Sequence, residues 1–367
     1  MIKLYKKIDP VLILLSLIAA ILLFTNLDNI YLWVDEAETA VLGRNVLTYG
    51  YPRAFDGTNT LNLLGDSWKH FAEYDQNYIW TIHPWLEFYV TAASFMLLGI
   101  TTFAARFLFA LAGLGSVLLS YSLSRQLFQN KTISQISTGL LVFSVPFLLH
   151  MRQCRYYALI TFFTLWMMLS YLRFVKGKKY SGLELGLSSV LLFHSNYGPF
   201  ISVGLAVTIH YFIFFFKREQ IYKFLGVLIP VCLLTIPWLF YLKSGSHVTE
   251  LSLENLRHQL EFYVRTINKY IFPLVFFILV SFYRWFRKKE KPFKETASRK
   301  PELWLLVSVI LASVFLLLFV EQRIMRYMIH IVPLLYILEA VILANWLRTS
   351  RVFTICVLVI LVSTNML

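Results

Sequence analysis

Apolar runs long enough, or nearly long enough, to cross a bilayer recur along almost the entire chain. A hydrocarbon layer of ~30 Å takes about 20 apolar residues as a helix, and backbone groups inside it must pair within their own segment. The pattern specifies an all-α polytopic membrane protein. The runs are continuous rather than alternating, which argues against a transmembrane barrel. Composition agrees: 58% of the 367 residues are hydrophobic and mean hydropathy is +0.65, against about 45–50% apolar residues in soluble domains.

Eleven spans are expected, at 10–27, 103–124, 133–150, 158–175, 182–196, 199–216, 222–242, 269–286, 303–320, 327–345 and 352–367. Lys3, Lys6 and Lys7 precede the first run as in a signal peptide, but the run is long and no small-residue cleavage site follows, so it reads as an uncleaved span. The segment 84–98 is a twelfth candidate, and the positive-inside rule decides against its crossing. With the N-terminus cytoplasmic and 84–98 outside the count, the cytoplasmic pieces hold 22 of the 34 Lys and Arg residues. If 84–98 crossed, every later loop would invert, and Lys176-Gly-Lys178-Lys179 and Arg287-Lys288-Lys289 would lie outside. The segment is therefore expected as a helix on the outer surface, entered at His83-Pro84-Trp85. The net charge of +14 follows from this sidedness and needs no nucleic-acid partner. The basic stretch 284–302 reads as an anchor against anionic membrane lipid.

This topology leaves one large outer loop, 28–102, rich in aromatic and polar residues including Trp68, His70, Tyr74 and Tyr78. Such long loops are functional or disordered, and the aromatic content favours function. The whole chain, 1–367, reads as a single transmembrane domain with no soluble C-terminal domain and no internal repeat. Pro146, Pro230, Pro237 and Pro273 lie in spans as expected kinks. Residues 243–268, with Glu250, Glu254, Arg257, His258 and Glu261 at helical spacing, read as an amphipathic surface helix. Cys154, Cys232 and Cys356 are far apart and suggest neither a disulfide framework nor metal spacing.

The outer loop opens on Trp-Val-Asp-Glu-Ala-Glu at 33–38, which sets Asp35, Glu36 and Glu38 at the water–lipid boundary. Acids are costly near a bilayer and mark functional sites there. Alternatively, Asp35 and Glu36 simply begin a surface helix, where acids favour the positive end of the dipole. Arginines that break the charge rule favour function. Arg152 and Arg155 occupy one short outer turn, Arg323 and Arg326 another, and Arg106 opens the second span. Carboxylates facing convergent arginines make a site for an anionic group that is held and reacted; lipid-phosphate binding alone is the simpler alternative.

Trp33-Val-Asp-Glu36, Arg44, His83-Pro84-Trp85-Leu86, Ala104-Ala105-Arg106-Phe107, Arg152-Gln-Cys-Arg155-Tyr156-Tyr157-Ala-Leu159 and Arg326-Tyr327 before Pro333 form an ordered set over residues 1 to 345. The set resembles the lipid-linked-sugar glycosyltransferases of the GT-C fold, in the branch of protein O-mannosyltransferases and lipid A aminoarabinose transferases. The resemblance implies inverting transfer of a sugar from a polyprenyl-phosphate donor to a lipid, glycan or protein acceptor on the extracytoplasmic face of the plasma (inner) membrane. It implies Asp35 as general base, with Glu36 beside it, and Arg155, Arg326, Arg152, Arg323 and Arg106 as phosphate ligands. His83, Glu38, Arg44, Tyr156 and Tyr327 would contact substrate.

The sequence departs from the family where some relatives carry a second acid after the second outer turn; here Ala158-Leu-Ile-Thr-Phe162 has none. A metal-independent site is expected, with no cofactor, or one in which Glu36 or Glu38 compensates. The alternatives are a carrier of lipid-linked sugars, which paired repeats and midplane charges would mark, and a non-catalytic subunit of a glycan-assembly complex.

Overall fold

The computed structural model describes residues 9–61, 73–218, 221–241, 252–288 and 300–366. Lys3, Lys6, Lys7, Trp68, His70, Glu250 and residues 289–299 of the basic stretch lie outside the described residues. The fifteen α-helices in them are α1 (Pro10–Phe24), α2 (Val34–Tyr49), α3 (Leu86–Leu98), α4 (Thr102–Phe128), α5 (Lys131–Val142), α6 (Val145–Met151), α7 (Tyr157–Phe174), α8 (Ser181–Ser195), α9 (Tyr197–Phe214), α10 (Ile221–Tyr241), α11 (Leu253–Tyr270), α12 (Leu274–Lys288), α13 (Lys300–Leu317), α14 (Val332–Thr349) and α15 (Arg351–Met366). A 3-10 helix, Met325–Ile331, leads into α14.

Six elements are long and apolar enough to cross a membrane: α4, α7, α9, α10, α13 and the 3-10 helix with α14. Two bent pairs, α5 with α6 (65°) and α11 with α12 (73°), raise the number to eight. The protein is a multi-pass membrane protein, but the expected count of eleven is not established by length. The three remaining expected spans are α1, α8 and α15, of 15, 15 and 16 residues, and at 1.5 Å per residue these reach only about 23 Å. The bends have local causes. Ser144 Oγ accepts the Phe147 N–H at 3.3 Å and Pro146 occupies the first turn of α6, so α5 ends at Val142. Pro273 sits between α11 and α12 in the same way. The described part of 243–268 is helical, in α11, where Glu254 and His258 pair at i,i+4 spacing; with α12 it forms the second bent pair.

The bundle is built around α14. Its span is 89% buried, whereas that of α10 is 17% buried, so α14 is the packed axis and α10 the periphery. α4 packs against α1, α3, α5 and α7, α7 also against α8, and α14 against α5. A second, smaller core lies on α2, α3 and the chain between them: Leu42, Val46, Ala54, Trp80, Phe88 and Ala92.

Within 84–98, Leu86–Leu98 forms a helix, α3, of 13 residues. It docks along α2 at a close approach: a Cβ on Gly43 would stand 2.7 Å from Thr91 Cβ. Gly99, at φ +80°, then turns the chain from α3 into α4. Between α2 and α3 there is no extended strand among the described residues, only isolated bridges such as Arg53 with Ile79. Side-chain turns shape this loop: Asp56 accepts the Thr58 and Asn59 N–H groups, and Asp75 those of Asn77 and Ile79.

Candidate active site

The acidic cluster falls in the first turns of α2, because Trp33 is the last extended residue before the helix. Glu36 is fully buried and every one of its acceptor positions is in use. Oε1 accepts from Arg106 Nε and the Cys154 N–H, both at 2.8 Å; Oε2 accepts from Arg106 Nη2 at 2.6 Å and the Trp33 N–H at 3.4 Å. Arg106 also donates to the Leu27 and Ile30 carbonyls at 2.9 Å. The pair thus ties α2, α4, the connection after α1 and the turn after α6 into one joint, with the bidentate geometry that only arginine supplies.

A second buried knot forms around Glu38, two residues further along α2. Arg155 Nη1 donates to Glu38 Oε1 at 3.0 Å, to Thr39 Oγ1 at 2.9 Å and to the Asp35 carbonyl at 3.3 Å. His83 Nε2 lies 3.1 Å from the same Glu38 oxygen, and His83 Nδ1 lies 3.2 Å from Glu87 Oε1. Glu87, on α3, is fully buried, stands 3.8 Å from Arg155 and accepts the Tyr156 N–H at 2.8 Å. Burial opposes ionisation of Glu38, but the Arg155 guanidinium and then His83 outweigh it and hold the carboxyl down at about 2. Burial wins at Glu87 and pushes its carboxyl up, despite the same two neighbours. Burial would strip Arg155 of charge, yet Glu38 and Glu87 keep its guanidinium firmly protonated.

The third pair is open to water. Arg326 Nη2, at the start of the 3-10 helix, lies 3.0 Å from Asp35 Oδ2, and the two side chains are 23% and 21% exposed. The Arg326 guanidinium is set against aromatic rings, 5.1 Å from the Trp33 centroid and 5.9 Å from that of Tyr157.

The structure therefore brings together Asp35, Glu36, Glu38, His83, Arg106, Arg155 and Arg326. Tyr156 and Tyr327 border them: the Arg155 guanidinium lies 5.6 Å from the Tyr156 ring, and Tyr327 follows Arg326 with its hydroxyl donating to Gln322. Three residues stand apart. Arg152 donates to the Leu22, Thr25 and Asn26 carbonyls and so caps the C-terminal end of α1. Arg44 pairs with Asp56 at 2.9 Å in the outer loop. Arg323 is exposed and makes no ion pair among the described residues. Sequence reasoning missed Glu87; its signal was the i,i+4 spacing from His83, which puts both on one face of a helix entry. Burial keeps the Cys154 thiol protonated, well above the usual range, so it offers no nucleophile. Among the described residues, no three His, Cys, Asp or Glu side chains are arranged to hold a metal ion.

The sequence matches no family profile and no curated protein. Its fold does have solved counterparts. One is ArnT of Cupriavidus metallidurans, a lipid A aminoarabinose transferase, in a structure bound to undecaprenyl phosphate: TM-score 0.61 and 15% identity, over 90% of this chain and 60% of that one. The chain has the GT-C fold. A second counterpart is the oligosaccharyltransferase AglB of Archaeoglobus fulgidus, solved with an inhibitory peptide and a dolichol-phosphate, at TM-score 0.54 and 14% identity over 94% of this chain and 50% of that one. An Archaeoglobus fulgidus oligosaccharyltransferase solved with zinc and sulfate gives TM-score 0.56 and 14% identity, over 97% of this chain and 52% of that one. The chain thus spans between half and three fifths of these proteins' lengths.

Proposed function

We propose that this protein is a membrane glycosyltransferase that moves a sugar from a polyprenyl-phosphate donor to an acceptor nucleophile at the outer face. One observation carries the reading: a solvent-accessible carboxylate, Asp35, sits beside a solvent-accessible guanidinium, Arg326, while Glu36, Glu38, Glu87 and Arg155 are buried and Arg106 and His83 are 11% and 13% exposed. The likeness to ArnT, solved with undecaprenyl phosphate, and to AglB, solved with a dolichol-phosphate, supports the donor class.

In this reading Asp35 accepts the proton of the acceptor hydroxyl as its oxygen attacks the anomeric carbon. The bond between that carbon and the phosphate oxygen breaks, its electron pair stays on the phosphate, and the configuration inverts. Arg326, with Arg155 behind it, offsets the charge that grows on the departing phosphate. Glu36 and Arg106 hold α2 in place rather than react, because their polar atoms are already committed. The prenyl chain lies in lipid beside the spans. The outer-face assignment rests on the charge distribution, with the cluster at the end of α14 opposite Arg348 and Arg351.

Purified full-length protein supplied with undecaprenyl-phosphate sugars and candidate acceptors, followed by mass spectrometry, tests the proposal. A transferase releases undecaprenyl phosphate and glycosylated product. A carrier of lipid-linked sugars, or a non-catalytic subunit, leaves the donor intact.

A further inference from the structure

We infer that Glu87 is a positioning residue for this transfer, setting Arg155 and His83 in place without touching substrate; the inference rests on the transferase reading above. Arg155 lies in a short turn, not in a helix, so neighbouring elements must fix it. Two carboxylates from two different helices do so. Glu36 of α2 accepts the Cys154 N–H and Glu87 of α3 accepts the Tyr156 N–H, both at 2.8 Å, on either side of Arg155.

The contacts of Arg155 and His83 point to Glu87 as well. Arg155 Nη2 and His83 Nε2 are 3.4 Å apart and meet at a single Glu38 oxygen. His83 cannot donate from Nε2 to Glu38 and also accept there from Arg155. Glu87 Oε1, 3.2 Å from His83 Nδ1 and 3.8 Å from Arg155 Nη1 with a hydrogen bond to neither, places a second carboxyl group beside the two basic groups. It thereby leaves Arg155 with uncommitted donors: Nε has no acceptor among the described residues, and Nη2 meets only the His83 ring. A buried carboxylate is an expensive way to pack two helices, and an apolar side chain would suffice for packing alone. The arrangement assigns Glu87 to holding a guanidinium whose free edge is kept for the donor phosphate.

Undecaprenyl phosphate itself is the probe, and the protein is the full chain. Glu87→Gln keeps the volume and an acceptor for the Tyr156 N–H but removes the charge. It is expected to melt within a few degrees of wild type, to bind undecaprenyl phosphate about tenfold more weakly, and to have no further effect in an Arg155→Gln background, since residues in one network are not additive. Glu87→Asp, which restores the charge one methylene short, is expected to recover part of the affinity. Should Glu87→Gln not fold, Glu87→Asp carries the same comparison, with a smaller loss that also vanishes beside Arg155→Gln. Wild-type affinity in Glu87→Gln, or an equal loss with and without Arg155, overturns the positioning role and leaves the transferase reading standing. Failure of wild type to bind undecaprenyl phosphate overturns that reading and the inference together.

Discussion

Arg326 and Asp35 form the exposed ion pair of the cluster: their side chains are 23% and 21% exposed at a separation of 3.0 Å, whereas the Glu36, Glu38 and Glu87 carboxylates are at most 4% exposed. A donor phosphate approaching Arg326 must compete with Asp35 for it. Removing the Asp35 charge should therefore free the guanidinium for phosphate. Asp35→Asn is expected to bind undecaprenyl phosphate several-fold more tightly than wild type, by about 1 kcal/mol for a released charge-assisted contact. Titration of the purified variant checks this; weaker binding would mean that Asp35 helps hold the phosphate.

The buried knot predicts an acid limb in stability. Glu38 titrates near 4.5 when unfolded and near 2 when folded. Its ionised form therefore stabilises the fold in full above about pH 4.5, and that contribution is lost as pH falls toward 2. The shift corresponds to about 3 kcal/mol. Glu87 acts with the opposite sign: burial raises its carboxyl, so its ionisation costs stability at higher pH and that cost fades as pH falls. Melting temperature measured from pH 6 down to pH 3 should fall more steeply for wild type than for Glu38→Gln.

The close approach of α2 and α3 predicts a packing defect at a contact that involves no charged side chain. A Cβ at Gly43 meets Thr91 Cβ and Cγ2 at 2.7 Å and the Phe88 carbonyl at 3.1 Å. Gly43→Ala should cost about 1–3 kcal/mol and lower turnover by shifting α2, which carries Asp35. Gly139→Ala on α5, where a Cβ meets nothing within 4 Å, should be neutral or slightly stabilising. Thermal melts of the two variants separate the cases.

Sidedness has its own test. Lys178 lies in the turn between α7 and α8, and Tyr31, 92% exposed, lies in the connection before α2. With the exposed Cys356 replaced, a cysteine at Tyr31 should react with an impermeant reagent added outside intact cells, and one at Lys178 should not. Labelling at Lys178 would invert the proposed topology.

Much of this was legible in the sequence because it rests on charge and length. The apolar segment 84–98 was expected as a helix, and α3 forms there and docks on α2. Arginines expected on the outer face pointed to Arg155 and Arg326, and both meet the acidic helix. What the sequence withheld depends on tertiary docking. Nothing local tells that Arg152 turns back to the α1 carbonyls while Arg155, three residues on, faces α2. Glu87 reads as an ordinary acid in a first helical turn until α3 packs over the Arg155 turn and removes it from water. Glu36 stands beside Asp35 and looks equally reactive; only the arrival of Arg106 and the Cys154 N–H shows its oxygens to be occupied. Pro146 announced a kink, but the 65° break into two helices depends also on the Ser144 cap.

The central claim is that Asp35 takes the acceptor proton in transfer from a lipid-linked sugar. Its most direct test is release of undecaprenyl phosphate from an undecaprenyl-phosphate sugar, in the presence of acceptor, by wild type and by folded Asp35→Asn. Loss of a general base costs about 10²–10⁴-fold in rate. The account predicts release by wild type and a loss of that size in the variant, with donor binding retained. Undiminished release by Asp35→Asn would contradict it.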